Sequence, residues 1–124
     1  MGQRVSFVLD TNIVIYELSD KLTQPLPVGP YAVSVISEME LLSYPDLDQN
    51  EEREIRRFLT GVVVVDLTPH IQAVAIQLRR LYRLRLPDAI VAATSVSLGE
   101  ELLTSDRRLA RTPSLRCRLI TIET

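Results

Sequence analysis

The chain has 124 residues, of which 46% are hydrophobic and 24% are charged, and its formal net charge is −2. This length suits one domain over 1–124 with a single hydrophobic core, and the composition argues against a disordered chain. No apolar run reaches the roughly 20 residues that span a bilayer, and the first residues do not resemble a secretory signal. We therefore expect a cytoplasmic protein with no membrane partner. The slight negative charge also argues against a protein that coats polyanions.

The predicted elements alternate between strands and helices along the chain. Apolar runs predict strands at 5–9, 31–34, 62–65, 102–104 and 118–122. Helical spacing and capping residues predict helices at 11–20, from Ser34 to near Pro45, within 46–59, from Pro69 onward, and from Pro87 to Gly99. Such alternation requires crossover connections, so the expected fold is an α/β sandwich with a mostly parallel sheet.

Several carboxylates lie near the predicted ends of strands. Asp10, Asp66 and Asp106 each come at or just beyond such an end. Ligands of open α/β sheets gather beyond the carboxyl ends of the strands, so these positions are informative. Asp88 at the start of an apolar helix, and Glu40 in a helix that follows a strand, can reach the same edge.

Each of these acids also has an ordinary structural explanation. Asp10 and Asp106 can cap the helical turns that follow them, and Asp88 is favoured at a helix N-terminus by the helix dipole. If the acids converge, however, their like charges repel unless a cation neutralises them. Oxygen ligands without His or Cys select a hard ion, Mg²⁺ or Mn²⁺.

The helix that carries Glu40 leaves a choice between two caps. Ser37 and Glu40 fit the capping-box pattern S-x-x-E, but the apolar pattern begins before Ser37, which favours Ser34 as the cap. Glu40 then lies inside the helix. Glu38 is about 200° away from Glu40 around the helix axis, so the two cannot face one site.

Two other uses of strand-end aspartates fit poorly. A receiver-type phosphoacceptor at Asp66 would need a paired acid after the first strand and a late lysine, but Lys21 is the only lysine. A phosphohydrolase with an aspartyl nucleophile would need a second Asp two residues after Asp10, where Asn12 stands. Asp66 is better explained as a turn residue.

Four blocks between residues 8 and 109 occur in one order: VLDTNIVIYEL, SVISEMELLSYP, LPDAIVAATSVSLG and LLTSDRRL. In this order and spacing they resemble the PIN-domain ribonucleases, specifically the VapC-type toxins of toxin–antitoxin pairs. The resemblance implies a single PIN domain over 1–124. It also implies a PIN-like three-layer sandwich, with a central mostly parallel sheet flanked by helices.

The resemblance also implies a set of site residues. The catalytic and metal-binding acids would be Asp10, Glu40, Asp88 and Asp106, holding one or two Mg²⁺ or Mn²⁺ ions. Supporting hydrogen bonds would come from Asn12 and Thr104. RNA-binding candidates, chosen for the affinity of arginine for phosphate, are Arg79, Arg80, Arg83, Arg107 and Arg108, with Arg85 and Arg111 beside them.

The function implied by the resemblance is metal-dependent cleavage of single-stranded RNA, with loops of tRNA or rRNA as expected substrates. A VapB-type antitoxin would neutralise this toxin, and the toxin would form a homodimer. Apolar residues that could line the antitoxin groove are Ile13, Tyr16, Leu42 and Tyr44, although ordinary core packing would explain them equally well. The alternative function is a catalytically silent PIN fold that only binds RNA or a partner.

Overall fold

The computed structural model describes residues 4–123, and within this range the chain forms five strands and six helices. In chain order they are β1 (Phe7–Leu9), α1 (Thr11–Leu18), β2 (Tyr31–Ser34), α2 (Val35–Leu42), α3 (Gln49–Thr60), β3 (Val63–Val65), α4 (Pro69–Tyr82), α5 (Leu86–Leu98), β4 (Glu101–Thr104), α6 (Arg107–Ala110) and β5 (Cys117–Leu119). The strands lie in the order β3-β2-β1-β4-β5, and every pair of neighbours is parallel. The predicted α/β sheet is therefore confirmed.

The register of the two central strands fixes the position of the first acid. Strand β1 pairs with β4 so that Leu9 lies opposite Leu103. The backbone N–H of Asp10 donates to the carbonyl of Leu103 at 3.0 Å. Asp10 and Thr104, each the next residue along its strand, are thereby brought side by side at the carboxyl edge of the sheet.

Successive residues of each central strand pack against different helical layers, as the alternation of side chains requires. Val8 and Leu102 belong to the core cluster under α4 and α5. Leu9 and Leu103 belong to the cluster formed with α1, α2 and α3. All four side chains are fully buried. The sheet thus forms the middle layer of the predicted three-layer sandwich.

The helix starts follow the capping residues that the sequence offers. Ser34 caps α2, and its hydroxyl accepts from the N–H of Ile36 at 3.1 Å. Thr68 caps α4 directly before Pro69, which is a position where proline is well tolerated. Gly99 ends α5 with φ +68°, in the left-handed region that glycine enters at little cost.

The predicted ends of two elements need correction. The last strand was expected at 118–122, but β5 ends at Leu119, and Ile122 forms only an isolated antiparallel bridge with Leu22. The first helix was expected to reach Asp20 but ends at Leu18. The φ of Asp20 is +57°, which cannot continue a right-handed helix.

Helix α5 is buried as its apolar sequence predicts. All seven residues of 89–95 are buried between the sheet and α4. Its length and composition are those of a core helix. Across residues 4–123, none of the helices combines the length and apolar character needed to cross a membrane.

The layered packing predicts unequal effects of two leucine truncations in the sheet. Leu103→Ala removes a fully buried side chain from the centre and should lower the free energy of unfolding by about 2–5 kcal/mol. Leu119→Ala, on edge strand β5 with 41% of its surface exposed, should cost less than about 1 kcal/mol. Urea denaturation followed by circular dichroism measures both, and equal losses would contradict the proposed layering.

Candidate functional site

Asp10 lies at the centre of a hydrogen-bonded network at the carboxyl edge of the sheet. The residue is buried, with 5% of its surface exposed. Its Oδ1 accepts from the N–H of Thr11 at 2.8 Å, and its Oδ2 accepts from the Thr104 hydroxyl at 2.7 Å. The same Thr104 oxygen accepts from the N–H of Asp106 at 3.0 Å. Asp10 therefore caps α1 and is also joined through Thr104 to the segment that carries Asp106.

Thr11 extends the network to the second predicted block. Its hydroxyl donates to Oε1 of Glu40 at 2.8 Å and is also hydrogen-bonded to the hydroxyl of Ser37 at 2.7 Å. Ser34 rather than Ser37 caps α2, so Glu40 lies inside the helix. Sequence reasoning missed Thr11 and Ser37. The one sequence signal was proximity, because Thr11 directly follows Asp10 and Ser37 lies one helical turn before Glu40; the contact between the two segments depends on the fold.

Asp88 and Asp106 line a small cavity of about 90 Å³. Arg85, Arg108 and two leucines complete its wall. Oδ1 of Asp106 caps α6 by accepting from the N–H groups of Arg108 and Leu109, at 2.9 and 3.2 Å. Within residues 4–123, neither carboxylate oxygen of Asp88 accepts a hydrogen bond. The same is true of Oδ2 of Asp106. These oxygens remain available to a ligand in the cavity.

Burial and repulsion between carboxylates raise the pKa values of Asp10 and Asp88. Burial raises the pKa of Asp10 from 3.8 to about 6; the hydrogen bond from Thr104 opposes this shift, and the charges of Asp88 and Asp106 add to it. Burial also raises the pKa of Asp88, against the opposing effect of Arg85, while Asp106 and Glu40 raise it further. Asp88 therefore interacts electrostatically with each of the other three acids, as expected for groups at one edge of the sheet.

The donor set has the chemistry that a hard divalent cation requires. All four acids offer oxygen, and the ionised form of Asp10 is destabilised by its surroundings, which a bound cation would reverse. Over residues 4–123, however, no group of three or more Asp, Glu, His or Cys side chains is arranged as a metal site. Internal hydrogen bonds hold Asp10, Glu40 and Asp106 in place. The acids fit the cation by ligand type and location, without forming a closed coordination shell.

The other predicted site residues are placed unequally. Thr104 contacts Asp10, but Asn12 is exposed and its side chain makes no hydrogen bond within the described part of the chain. Arg108 lines the cavity of Asp88 and Asp106. Arg107 is exposed on α6. Arg85 lines the same cavity as Arg108, and Arg111 follows α6 as its C-cap. The other three predicted arginines lie on α4 or at its end and line a second cavity: Arg79, Arg80 and Arg83.

A separate apolar groove runs between α1, α2 and α3. It has a volume of about 230 Å³. Its lining residues are Ile15, Leu18, Ser19, Leu41, Tyr44, Leu47, Glu51, Glu54 and Ile55. Of the residues considered for a partner groove, Tyr44 lines it and is 49% exposed, whereas Ile13 is fully buried in the core. Tyr16 and Leu42 are partly buried and do not line it.

The PIN domain family matches residues 7–115, which is most of the chain. The chain belongs to the PIN-domain family. PIN domains are generally nucleases. Comparison with the curated proteins gave no match.

Three solved structures of toxin–antitoxin complexes contain a chain with the same fold. A chain of the VapBC2 complex of Rickettsia felis bound to a promoter DNA fragment superposes with a TM-score of 0.78 at 18% identity, over 94% of this chain and 100% of that one. A toxin–antitoxin complex from Klebsiella pneumoniae gives a TM-score of 0.74 at 27% identity, over 89% of this chain and 95% of that one. DNA-bound VapBC from Salmonella typhimurium gives a TM-score of 0.77 at 22% identity, over 93% of this chain and 98% of that one. These matches agree with the three-layer fold of this PIN domain.

Removal of the Asp10 charge should stabilise the metal-free PIN domain. The folded-state pKa of about 6 exceeds the ordinary 3.8, so the ionised carboxyl opposes folding above pH 4. Wild-type stability should rise as the pH falls from 7 to 4. Asp10→Asn should gain about 2–3 kcal/mol at pH 7 in EDTA, since each pKa unit corresponds to about 1.4 kcal/mol.

The measurement is urea denaturation at pH 4 and pH 7 for wild type, Asp10→Asn and the control Asp66→Asn. Asp66 also follows a strand but is exposed, so its variant should match wild type. An Asp10→Asn protein less stable than wild type at pH 7 would show that the carboxylate is well satisfied without a cation.

Proposed function

We propose that this PIN domain, acting over 1–124 as one unit, is a Mg²⁺- or Mn²⁺-dependent endoribonuclease that cleaves single-stranded RNA. One observation carries the proposal: the acids of three separate segments are joined through Thr11 and Thr104 beside a cavity walled by Asp88 and Asp106. The family membership supports nuclease chemistry. Loops of tRNA or rRNA are the proposed substrates.

Asp10, Glu40, Asp88 and Asp106 would hold the cation. When bound, the cation would lower the pKa of a water nucleophile and stabilise negative charge on the phosphodiester oxygens. The protein itself keeps these carboxylates in position: Thr104 orients Asp10 and receives the N–H of Asp106, while Thr11 orients Glu40. Fixed carboxylates spare the site a reorganisation cost during the reaction.

Two arginines beside the acids would bind the RNA phosphate. Arg85 and Arg108 line the cavity with Asp88 and Asp106, and a guanidinium forks onto phosphate oxygens. Arg108 is partly fixed already, because its Nη2 donates to the carbonyl of Arg83 at 3.0 Å. This arrangement places positive charge next to an otherwise anionic site, which an anionic substrate needs in order to approach.

We propose further that the protein is a cytoplasmic VapC-type toxin, neutralised by a VapB-type antitoxin and forming a homodimer. The solved structures of the same fold are described as VapBC or toxin–antitoxin complexes. The apolar groove between α1, α2 and α3 is the proposed antitoxin site, since Leu18 and Tyr44 line it and are 36% and 49% exposed. Exposed apolar surface of this kind is typical of protein interfaces.

Cleavage of RNA by the purified protein should require the divalent cation and the acids. Wild type should cut a mixed tRNA preparation with Mg²⁺ or Mn²⁺, and EDTA should stop it. Asp88→Asn and Glu40→Gln should each lower the rate by about 100-fold or more, because each removes a charge that a cation would neutralise. Gel analysis of end-labelled RNA measures the rate.

Two carboxylates outside the site give matched controls for these variants. Asp66→Asn should cleave like wild type, since Asp66 is exposed beyond β3. Glu38→Gln should do the same, since Glu38 lies on a different face of α2 from Glu40. Cleavage that survives in Asp88→Asn would point to a contaminating nuclease. RNA binding without any cleavage by wild type would favour the silent PIN module.

The groove proposal predicts a loss of antitoxin affinity that leaves cleavage unchanged. Tyr44→Ala should weaken binding of the proposed VapB-type antitoxin by about 10-fold or more, as expected for an aromatic anchor. Isothermal titration calorimetry measures the affinity. Val28→Ala is the control, because Val28 is apolar, 99% exposed and outside the groove. Equal effects of the two variants would place the antitoxin elsewhere.

A further inference from the structure

A second cavity adjoins the small cavity of the acids. It measures about 430 Å³, within the range of about 300–1,000 Å³ that is common for ligand sites. Leu84 lines both cavities, so they meet at the turn between α4 and α5. The lining of the second cavity is Ile76, Arg79, Arg80, Arg83, Leu84 and Leu86. We call this lining the α4 arginine cavity; it combines three guanidinium groups with an apolar floor.

The arginine side chains of this cavity have no partners within residues 4–123, whereas several arginines elsewhere form ion pairs. Arg56 forms an ion pair with Glu52 at 2.9 Å, and Arg118 forms one with Glu101 at 2.9 Å. The side chains of Arg79, Arg80 and Arg83, by contrast, make no hydrogen bond or ion pair in that range. The sequence explains the contrast, because residues 67–87 contain four arginines and no acid. A chain with net charge −2 thus presents a run of unneutralised positive charge next to the cavity of Asp88 and Asp106.

The turn between the two cavities is held in a defined conformation. Arg83 ends α4 with φ +55° and ψ +38°, a left-handed conformation that is uncommon for residues other than Gly, Asn and Asp. Its N–H donates to the carbonyl of Arg79 at 2.9 Å, and its own carbonyl accepts from Arg108. Helix α6, which Asp106 caps, is therefore tied to the C-terminal end of α4. The arginine cavity and the acid cavity keep a fixed relation to each other.

We propose that the α4 arginine cavity is a subsite for a nucleotide that flanks the cleaved bond of the RNA strand. Arg79 and Arg80 would bind its phosphates, and its base would pack on Ile76 and Leu86, which are 43% and 50% exposed. This inference rests on the proposed function for the bond that is cut. It adds a path: the strand passes from the acid cavity over the α4–α5 turn onto α4.

A second copy of this chain is a weaker occupant for the same surface. A two-fold interface brings one patch close to its own copy. Three unpaired arginines would then approach three others, and like charges that face each other across an interface cost several kcal/mol. A polyanion removes this repulsion and uses the guanidinium groups directly. Charge complementarity therefore favours the RNA strand.

Binding of RNA without cleavage tests the subsite directly. The probe is a fluorescein-labelled single-stranded RNA of about 12 nucleotides, and the protein is the Asp88→Asn variant in EDTA. Adding Arg79→Gln and Arg80→Gln should weaken binding about 10-fold. It should also reduce the slope of log K against log salt by about 1.4, since each phosphate contact on a single strand contributes about 0.7. Fluorescence anisotropy at several salt concentrations gives both values.

The matched control removes two arginines of α3. Arg53→Gln with Arg56→Gln changes the net charge equally. These two side chains hydrogen-bond to Asn50 and Glu52 of α3 and line neither the acid cavity nor the α4 arginine cavity. The control should leave the affinity within about two-fold. Equal losses for the two pairs, or no RNA binding by the Asp88→Asn protein, would overturn the subsite. If Arg79→Gln with Arg80→Gln left the RNA affinity unchanged but altered the mass of the protein in solution, measured by light scattering, the surface would belong to an interface with a second copy.

Kinetics of the active protein separate the subsite from the cleavage chemistry. With Mg²⁺ or Mn²⁺ and the full-length RNA probe of about 12 nucleotides, the variant with Arg79→Gln and Arg80→Gln should have a KM about 10-fold higher than wild type. Its kcat should change less than three-fold. On RNAs shortened from either end, the effect should vanish once the strand no longer reaches the cavity. If wild type cleaves no RNA, the nuclease proposal fails while the binding assay still decides the subsite. A fall in kcat with unchanged KM would overturn the subsite.

Discussion

The threonine hydroxyls at the carboxyl edge of the sheet are the constraint on which the site depends. Asp10 is almost completely buried, and a buried carboxylate is costly unless it is hydrogen-bonded. Thr104 and the N–H of Thr11 satisfy it from β4 and α1. Thr104 then receives the N–H of Asp106, and Thr11 reaches Glu40. A one-residue slip of β1 against β4 would break this network and turn the core side chains of both strands to the wrong layers.

Charge is distributed unevenly around this network. Arg85 and Arg108 line the cavity of Asp88 and Asp106, and the arginines at the end of α4 line the adjoining cavity; within residues 4–123 none of them forms an ion pair. On α3, by contrast, Arg56 and Arg57 pair with Glu52 and Glu54 of the same helix. The apolar groove on the other side carries Glu51 and Glu54 in its wall. The apolar groove and the α4 arginine cavity therefore differ in the charge of their walls. The surfaces proposed for an anionic strand and for a partner protein therefore share no side chains.

Much of this arrangement could be predicted from the sequence because its signals are local. Ser34 and Thr68 caps, the apolar 89–95 run and Gly99 each fix a helix boundary through neighbouring residues. The strand-end acids follow from the parallel sheet rule. Signals that depend on distant contacts were weaker. Nothing near Thr11 in the sequence says that it meets Glu40, 29 residues away, and the end of β5 depends on its pairing with β4.

The central position of β1 in the sheet has a consequence for how the protein is made on the ribosome. This strand emerges first, yet one of its two neighbours is β4, and Asp10 meets its Thr104 partner across 94 positions of sequence. A nascent chain that has not yet reached β4 leaves the first strand half-paired and its terminal carboxylate without that hydroxyl. Non-local pairings of this kind close late. The hydrogen-bonded acid site can therefore be completed only after β4 has been synthesised.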